Sequence, residues 1–246
     1  MIDSLKKAFD VVSKQPFRFV WASLLFLFVF MLFVFGAVGL FILYFLILSI
    51  FGRELSLDSI GTMGVLGIVG LLVIFFANGV NAALAMAYKT AISKGKISLT
   101  RFYSYALDRA PTMFGIMLIR ELIWLLAVGP FIALFIYFFQ DIEFVDIMLY
   151  VYAFFMTFII HMLFTPAFIL AGAFDATLFA SLKQGFVFLR QKHVFFIALY
   201  ILFAFVWLFN FLPFIQIATI FFIYPLIYTA MIMMIKNTIK ISEDED

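Results

Sequence analysis

Along this chain the apolar residues come in long uninterrupted runs, and the charged residues in short clusters between them. No residue between Arg18 and Arg53 is charged, and none between Asp58 and Lys89. A third run, Ala110 to Gln140, is broken only by Arg120 and Glu121. A fourth goes from Ile147 to Phe174, and the last from His193 to Ile235. A bilayer core about 30 Å thick takes roughly 20 apolar residues in a helix rising 1.5 Å per residue. The last run is long enough for two crossings, with Asn210-Phe-Leu-Pro213 as the turn between them. The pattern predicts an all-α integral membrane protein with six transmembrane helices.

A second periodicity lies in the polar linkers. SLKKAFDVVSKQPF (Ser4–Phe17), SLTRFYSYALDRAP (Ser98–Pro111) and SLKQGFVFLRQKHV (Ser181–Val194) each begin with Ser-Leu, 94 and then 83 residues apart. Leu5, Ala8, Phe9 and Val12 fall at i, i+3, i+4 and i+7. Leu99, Phe102, Tyr103 and Ala106 repeat that spacing, as do Leu182, Gly185, Phe186 and Leu189. One apolar stripe with Lys and Arg on the other face is the signature of an amphipathic helix, here beside the mouth of a span. Helices over 4–15, 98–109 and 177–191 are therefore expected in the membrane plane. Pro16 and Pro111 stand where the following helix would start, a position proline tolerates well, and His193 takes that place in the third segment. The chain then reads as one membrane domain, 1–246. It is built as three repeats of interfacial amphipathic helix, span, span (about 1–95, 96–174 and 175–240), with an acidic tail over 241–246.

Charge orients the spans. With six crossings, the N-terminus, the loops near 89–109 and 175–192 and the C-terminus share one side, and 14 of the 16 Lys and Arg residues fall there. The other side holds Arg53 against Glu54, Asp58, Asp141, Glu143 and Asp146. The positive-inside rule then puts both termini in the cytoplasm of a cell-membrane protein. The run after Arg18 is longer than a signal peptide's hydrophobic region and has no small-residue cleavage site, so the first span is expected to stay. Composition agrees: 67% of residues are apolar and 12% charged, too few charges to cover a water-soluble surface. With no Cys and only His161 and His193, neither a thiol nucleophile nor a thiolate or histidine-rich metal site is available.

The repeat unit, with NAALAMAYKTAISKGKISLTRFYSYA (Asn81–Ala106) and FTPAFILAGAFDATLFASLKQGFVFL (Phe164–Leu189), resembles the membrane domain fused to some bacterial glycerophosphodiester phosphodiesterases. It is also similar to related stand-alone six-span families of bacteria and archaea, largely uncharacterised. The resemblance covers nearly the whole chain and implies a six-helix fold. It implies no activity, because the phosphodiesterase chemistry of the fused proteins belongs to a separate soluble domain.

Ionisable groups inside a bilayer are costly, so they are the first functional candidates. Arg120 and Glu121 lie roughly 15 Å from the cytoplasmic end of their run at 1.5 Å per residue, and Asn78, Asn81 and His161 at about 12–20 Å. The five are expected to meet near the midplane. Arg120 and Glu121, neighbours about 100° apart on a helix, are expected to address different partners. Three roles compete for this cluster: a buried polar knot that fastens helices, an ion or proton path through Glu121 and His161, and a polar pocket for a lipid headgroup. Gly61, Gly64, Gly67 and Gly70 have the spacing of a close helix-packing face, and Trp124, Tyr150 and Tyr152 read as interface or packing aromatics.

The chain has no HExxH, GxSxG or phosphate-binding loop. The leading expectation is a non-catalytic membrane protein that engages lipid, or a membrane or cytoplasmic protein partner, through basic interfacial helices. Their lipid-facing cations would be Lys6, Lys7, Lys14, Arg18, Lys89, Lys94, Lys96, Arg101, Arg109, Lys183, Arg190 and Lys192. A small transporter or channel using the midplane cluster is the alternative, followed by an intramembrane lipid-modifying enzyme. No catalytic residue, cofactor, metal or nucleic-acid partner is expected.

Overall fold

The computed structural model describes residues 2–50, 60–139, 144–208 and 213–238. Among them every regular element is helical: α1 (Ile2–Lys14), α2 (Pro16–Ile50), α3 (Ile60–Ile92), α4 (Leu99–Phe139), α5 (Val145–Ala173), α6 (Leu178–Leu208), α7 (Pro213–Ala218) and α8 (Tyr224–Thr238). A π-helical turn, Thr219–Ile223, joins α7 to α8. Five helices are long and apolar enough to cross a membrane, or six if the bent α6 counts as one crossing. The turn expected at Asn210 to Leu212, the charges Arg53, Glu54, Asp58, Asp141 and Glu143, and the tail with Lys240 lie outside the described residues.

Helix boundaries follow from local chemistry. α1 stops at Lys14 because Pro16 disfavours the helical conformation for Gln15 and supplies a preset first residue for α2. α3 closes with a paired-bond cap: the Lys94 amide donates to the Ala91 carbonyl (3.1 Å) and the Gly95 amide to the Thr90 carbonyl (2.9 Å). Lys94 takes the left-handed φ of 62° that this cap requires. The break expected at Pro111 is absent. α4 runs unbroken through it for 41 residues, about 60 Å at 1.5 Å per residue. Pro111 is exposed, so the Leu107 carbonyl it leaves without a helical donor is on the outward face, within reach of water or headgroups. Residues 99–109 are therefore the unbroken N-terminal part of a long apolar helix, and the expectation that 98–109 form a separate interfacial helix is corrected. The third segment does turn. α6 bends by 85° between Val194 and Phe196, next to a non-helical Lys192.

Burial is concentrated at one end of the bundle. The buried residues of α2 are confined to Phe19–Val29, whereas Phe35, Val38, Leu43, Leu46 and Ile50 are exposed. α3 repeats this, with Val80 and Ala82–Tyr88 buried and Met63, Ile68 and Leu71 exposed. A surface this large and apolar suits acyl chains rather than water. At the buried end, α3, α5 and α8 pack against one another, with α2 on α3, α4 on α3 and α5, α6 on α5 and α1 on α8.

Small residues permit the close crossings. A Cβ on Gly79 would overlap the Ala106 carbonyl oxygen of α4. One on Gly172 would stand 3.0 Å from the Ala82 backbone of α3, and one on Gly185 3.0 Å from the Ala167 amide of α5. The glycine ladder singled out from spacing packs on nothing: a Cβ at Gly64, Gly67 or Gly70 meets no atom within 4 Å, and at Gly61 only the Tyr44 hydroxyl at 3.8 Å. Spacing finds a small-residue face but not whether a neighbour uses it. Gly79→Ala should therefore push α3 from α4 and cost about 1–3 kcal/mol, as overpacking does. Gly67→Ala should stay within about 0.5 kcal/mol of the parent. Thermal unfolding in detergent checks both, and equal melting temperatures for the two variants would contradict the crossing.

Candidate functional site

Arg120 lies near the middle of α4 and is joined to its neighbour Glu121 by an ion pair through Nε and Nη2. The expectation that these two address different partners is overturned, because long side chains bridge the 100° that separates their Cβ atoms. The guanidinium also reaches across to α5, where Nη1 stands 3.4 Å from His161 Nδ1 and the charge lies 5.4 Å from the centre of the Phe168 ring. An arginine only donates, so Nδ1 accepts and His161 carries its proton on Nε2. Thr165, one turn on, gives its hydroxyl proton to the His161 carbonyl at 2.8 Å. Tyr200 of α6 shares a hydrogen bond with Thr165 and is buried. Sequence reasoning found the three ionisable members and missed Thr165, Phe168 and Tyr200, since an isolated Thr or Tyr in an apolar run carries no signal of its own.

The two asparagines do not join this group. Asn78 on α3 donates to its own Ile74 carbonyl at 2.8 Å and contacts the Met117 sulfur of α4 at 3.2 Å. Asn81, one turn on, is exposed. The predicted midplane cluster of five is thus a connected trio with a separate α3–α4 contact.

A second polar relay was not foreseen at all. Ser23 of α2 and Tyr88 of α3, both 1% exposed, have their hydroxyls 2.9 Å apart, and Ser23 Oγ donates to the Ile220 carbonyl at 3.1 Å. With the Ser23 proton so used, Tyr88 is the donor in the first bond. The vacancy at Ile220 has a covalent cause. In the π register the Tyr224 amide bonds Thr219 instead of Ile220, and the next candidate donor, Pro225, has no N–H. A carbonyl stranded in this way needs a side-chain donor, and Ser23 supplies it.

Several expected lipid-facing cations are engaged with protein. Arg109 ion-pairs with Asp175 at 2.7 Å and donates to its carbonyl at 2.9 Å, while the Tyr105 hydroxyl bonds both the Gly172 carbonyl (2.7 Å) and the Asp175 carboxylate (2.5 Å). This ties α4 to the turn after α5, where Asp175 holds a left-handed φ of 58°. Lys89 lies over the Phe174 ring at 4.6 Å, Arg18 bonds Gln15 at 2.6 Å, and Lys14 is 4.0 Å from Asp10 on an exposed face. Lys6, Lys7, Lys94, Lys96, Arg101, Lys183, Arg190 and Lys192 are exposed. Trp124 donates to Thr157 (2.7 Å) and Tyr152 to the Ala127 carbonyl (3.1 Å), fastening α4 to α5, while Tyr150 is exposed. Among the described residues no three His, Cys, Asp or Glu side chains gather in a way that would hold a metal.

The arrangement around Arg120 neutralises a charge in apolar surroundings rather than presenting one. Glu121→Gln leaves that charge uncompensated and should cost about 3–5 kcal/mol if the site is dry. Since the Glu121 side chain is 45% exposed on the bundle surface, the lower end is expected. The double replacement Arg120→Met, Glu121→Leu should be more stable than Glu121→Gln alone, read as melting temperature in detergent or nanodiscs. A double variant that falls below both single ones would mean that the pair contributes more than mutual neutralisation.

No family model, curated protein or solved structure matches this chain.

Proposed function

We propose that the chain is a six-span, non-catalytic protein of the cell membrane, with both termini in the cytoplasm, that engages lipid through the basic ends of three repeated units. This is the architecture that the resemblance to phosphodiesterase-associated membrane domains would also imply. The observation that carries the reading is a burial pattern shared by the three Ser-Leu segments. Three and seven residues after the leucine, the residues are buried in each: Ala8 and Val12, Phe102 and Ala106, Gly185 and Leu189. Four residues after it an aromatic residue is exposed in each, Phe9 60%, Tyr103 41% and Phe186 47%, with one side of the Tyr103 ring on Phe33 and one edge of Phe186 against Phe164. Exposed Lys6 and Lys7, Arg101 and Lys183 stand on the same segments. Exposed aromatic residues beside cations fit the boundary between acyl chains and anionic headgroups.

The polar contacts support the repeat independently. Ser23, Met117 and Tyr200 are separated by the same 94 and 83 residues as the Ser-Leu pairs. Each touches an inner helix: Ser23 the π turn before α8, Met117 the Asn78 of α3, Tyr200 the Thr165 of α5. Asn78 and His161 are again 83 apart. In this reading α3, α5 and α8 are the second spans of the three units, gathered at the centre, and α2, α4 and α6 are the first spans outside them. The Arg120 group is then the most polar of three equivalent fasteners, not a path across the membrane.

Two measurements test the proposal. Cysteines placed at Leu57 and Phe144 in this cysteine-free chain should react with an impermeant thiol reagent from outside intact cells, whereas Ser93→Cys and Ser242→Cys should not. External labelling at Ser242→Cys would leave an odd number of crossings and remove the six-span topology. For lipid engagement, reversing Lys6 and Lys7 to Glu should speed amide exchange across residues 4–15 by about tenfold or more in bilayers containing phosphatidylglycerol. Each cation near an anionic leaflet contributes about 1 kcal/mol, and reversal adds repulsion. Exchange equal to the parent's would remove the lipid-binding role, and an ion flux that disappears with Glu121→Gln would favour a transporter instead.

A further inference from the structure

The strongest unassigned feature is a cavity of about 420 Å³ where the start of α2 meets the end of α3 and the turn into α4. Arg18 and Lys96 are among its lining residues, with Phe17, Trp21, Ala91 and Ile97 as the apolar ones. The cap of α3 builds it. With Lys94 in the left-handed region and the Gly95 amide bonded back to Thr90, the chain reverses and brings Lys96 and Ile97 alongside α2. The Trp21 indole then donates from Nε1 to the Ile97 carbonyl at 3.1 Å, which holds the turn against α2 and fixes the ring as one wall.

Among the described residues nothing compensates the charge of this pocket. The Arg18 guanidinium bonds the neutral Gln15 side chain, and Lys96 is exposed on the turn. Among the described residues no carboxylate is ion-paired with either. The surroundings are apolar on the membrane side: Phe17 is 86% and Trp21 49% exposed, and beyond Arg18 the helix has no charge to its end. Two cations above an apolar groove, at the level where a span begins, match one chemistry. That is a phosphate carrying net negative charge, attached to hydrocarbon.

We propose that this pocket binds one anionic phospholipid of the cytoplasmic leaflet, with its phosphate held between Arg18 and Lys96 and its glycerol and upper acyl region against Phe17, Trp21 and Ala91. The proposal rests on the lipid-engaging reading above and narrows it to a single saturable site, distinct from the diffuse attraction of Lys6 and Lys7. Arg18 and Lys96 thus part from the other cations of the basic face: they line a concave site, whereas Arg109 and Lys89 are already committed within the protein.

The test is retention of phosphatidylglycerol or phosphatidylcholine by the purified full chain, titrated in detergent and counted by native mass spectrometry. The parent should hold one phosphatidylglycerol tightly and phosphatidylcholine weakly. Arg18→Gln with Lys96→Gln should weaken that binding about 30-fold, equivalent to about 2 kcal/mol at 1.4 kcal/mol per decade. Lys96→Gln alone, on an exposed turn where folding is not at stake, should weaken it about fivefold, and Arg18→Lys with Lys96→Arg should restore most of it. The Lys6→Glu, Lys7→Glu variant separates the two ideas. If it loses lipid while the Gln variants bind as the parent does, the pocket is refuted and the broader reading stands. If neither set changes retention, both fall. Equal retention of phosphatidylcholine would overturn the anionic assignment. Displacement of the lipid by millimolar inorganic phosphate would assign the site to the free ion and overturn the lipid.

Discussion

Inside a hydrocarbon layer no water is available to satisfy a polar group, so every donor and acceptor must find its partner within the protein. The buried end of this bundle is organised by that constraint. The Ile220 carbonyl loses its helical donors to the π register and to Pro225, and the nearest remedy is a hydroxyl from another helix. Ser23 provides it and is in turn held by Tyr88, so a local irregularity in the last helix fixes the positions of α2 and α3. The Tyr88 ring packs on Phe19 and on Tyr228, joining the same three helices by apolar contact. A polar requirement and aromatic packing thus specify one arrangement together.

Close approach follows from the same economy of space. Gly79, Gly172 and Gly185 each stand where a methyl group would strike a neighbouring backbone or side chain. Without a hydrophobic driving force between helices in lipid, such contacts are what dispersion and interhelical hydrogen bonds act through. The opposite ends of α2 and α3 have no equivalent. Their glycines are open and their large side chains exposed, leaving a shallow apolar groove between them lined by Leu32, Phe33, Gly36, Val69 and Phe76. The α2–α3 pair is thus tight at its basic end and loose at the other, where α4 and α5 stay joined by Trp124, Tyr152 and the buried Val128, Val145 and Leu149.

The charged residues divide accordingly. Arg109 and Lys89 have turned inward to tie turns to helices, and Arg120 is quenched by Glu121. What remains outward on the described segments is a set of lysines and arginines beside exposed aromatic rings, with one concave site at Arg18 and Lys96. This division directs the functional reading toward the membrane surface rather than the bundle's interior. The interior groups around Arg120 and Ser23 are engaged with one another, although the buried hydroxyls of Ser181, Thr219 and Thr229 have no partner among the described residues, whereas Lys6, Lys7 and Lys96 are exposed.

How much of this the amino-acid order determined depends on the range of the forces involved. Runs of apolar residues, clusters of Lys and Arg, and the recurring Ser-Leu stripe are one-dimensional features. They set where long helices lie, because helix formation and lipid solvation respond to composition over about 20 residues. Within the stripe, Ala8 and Val12 turn inward while Phe9 turns out, and only the neighbouring helix decides which. The same holds for Asn78, which meets Met117, and for Asn81 three residues on, which is exposed. Pro16 starts a new helix, whereas the exposed Pro111 and the buried Pro166 both lie inside one, so the residue type alone does not decide where a helix ends. The Arg120–Glu121 pair, the Asp175 clasp on Arg109 and the Ser23–Ile220 relay were illegible for a common reason. Each is a contact of a few ångströms between groups whose adjacency or separation in sequence says nothing about where their side chains end, and only the packed helices bring those ends together.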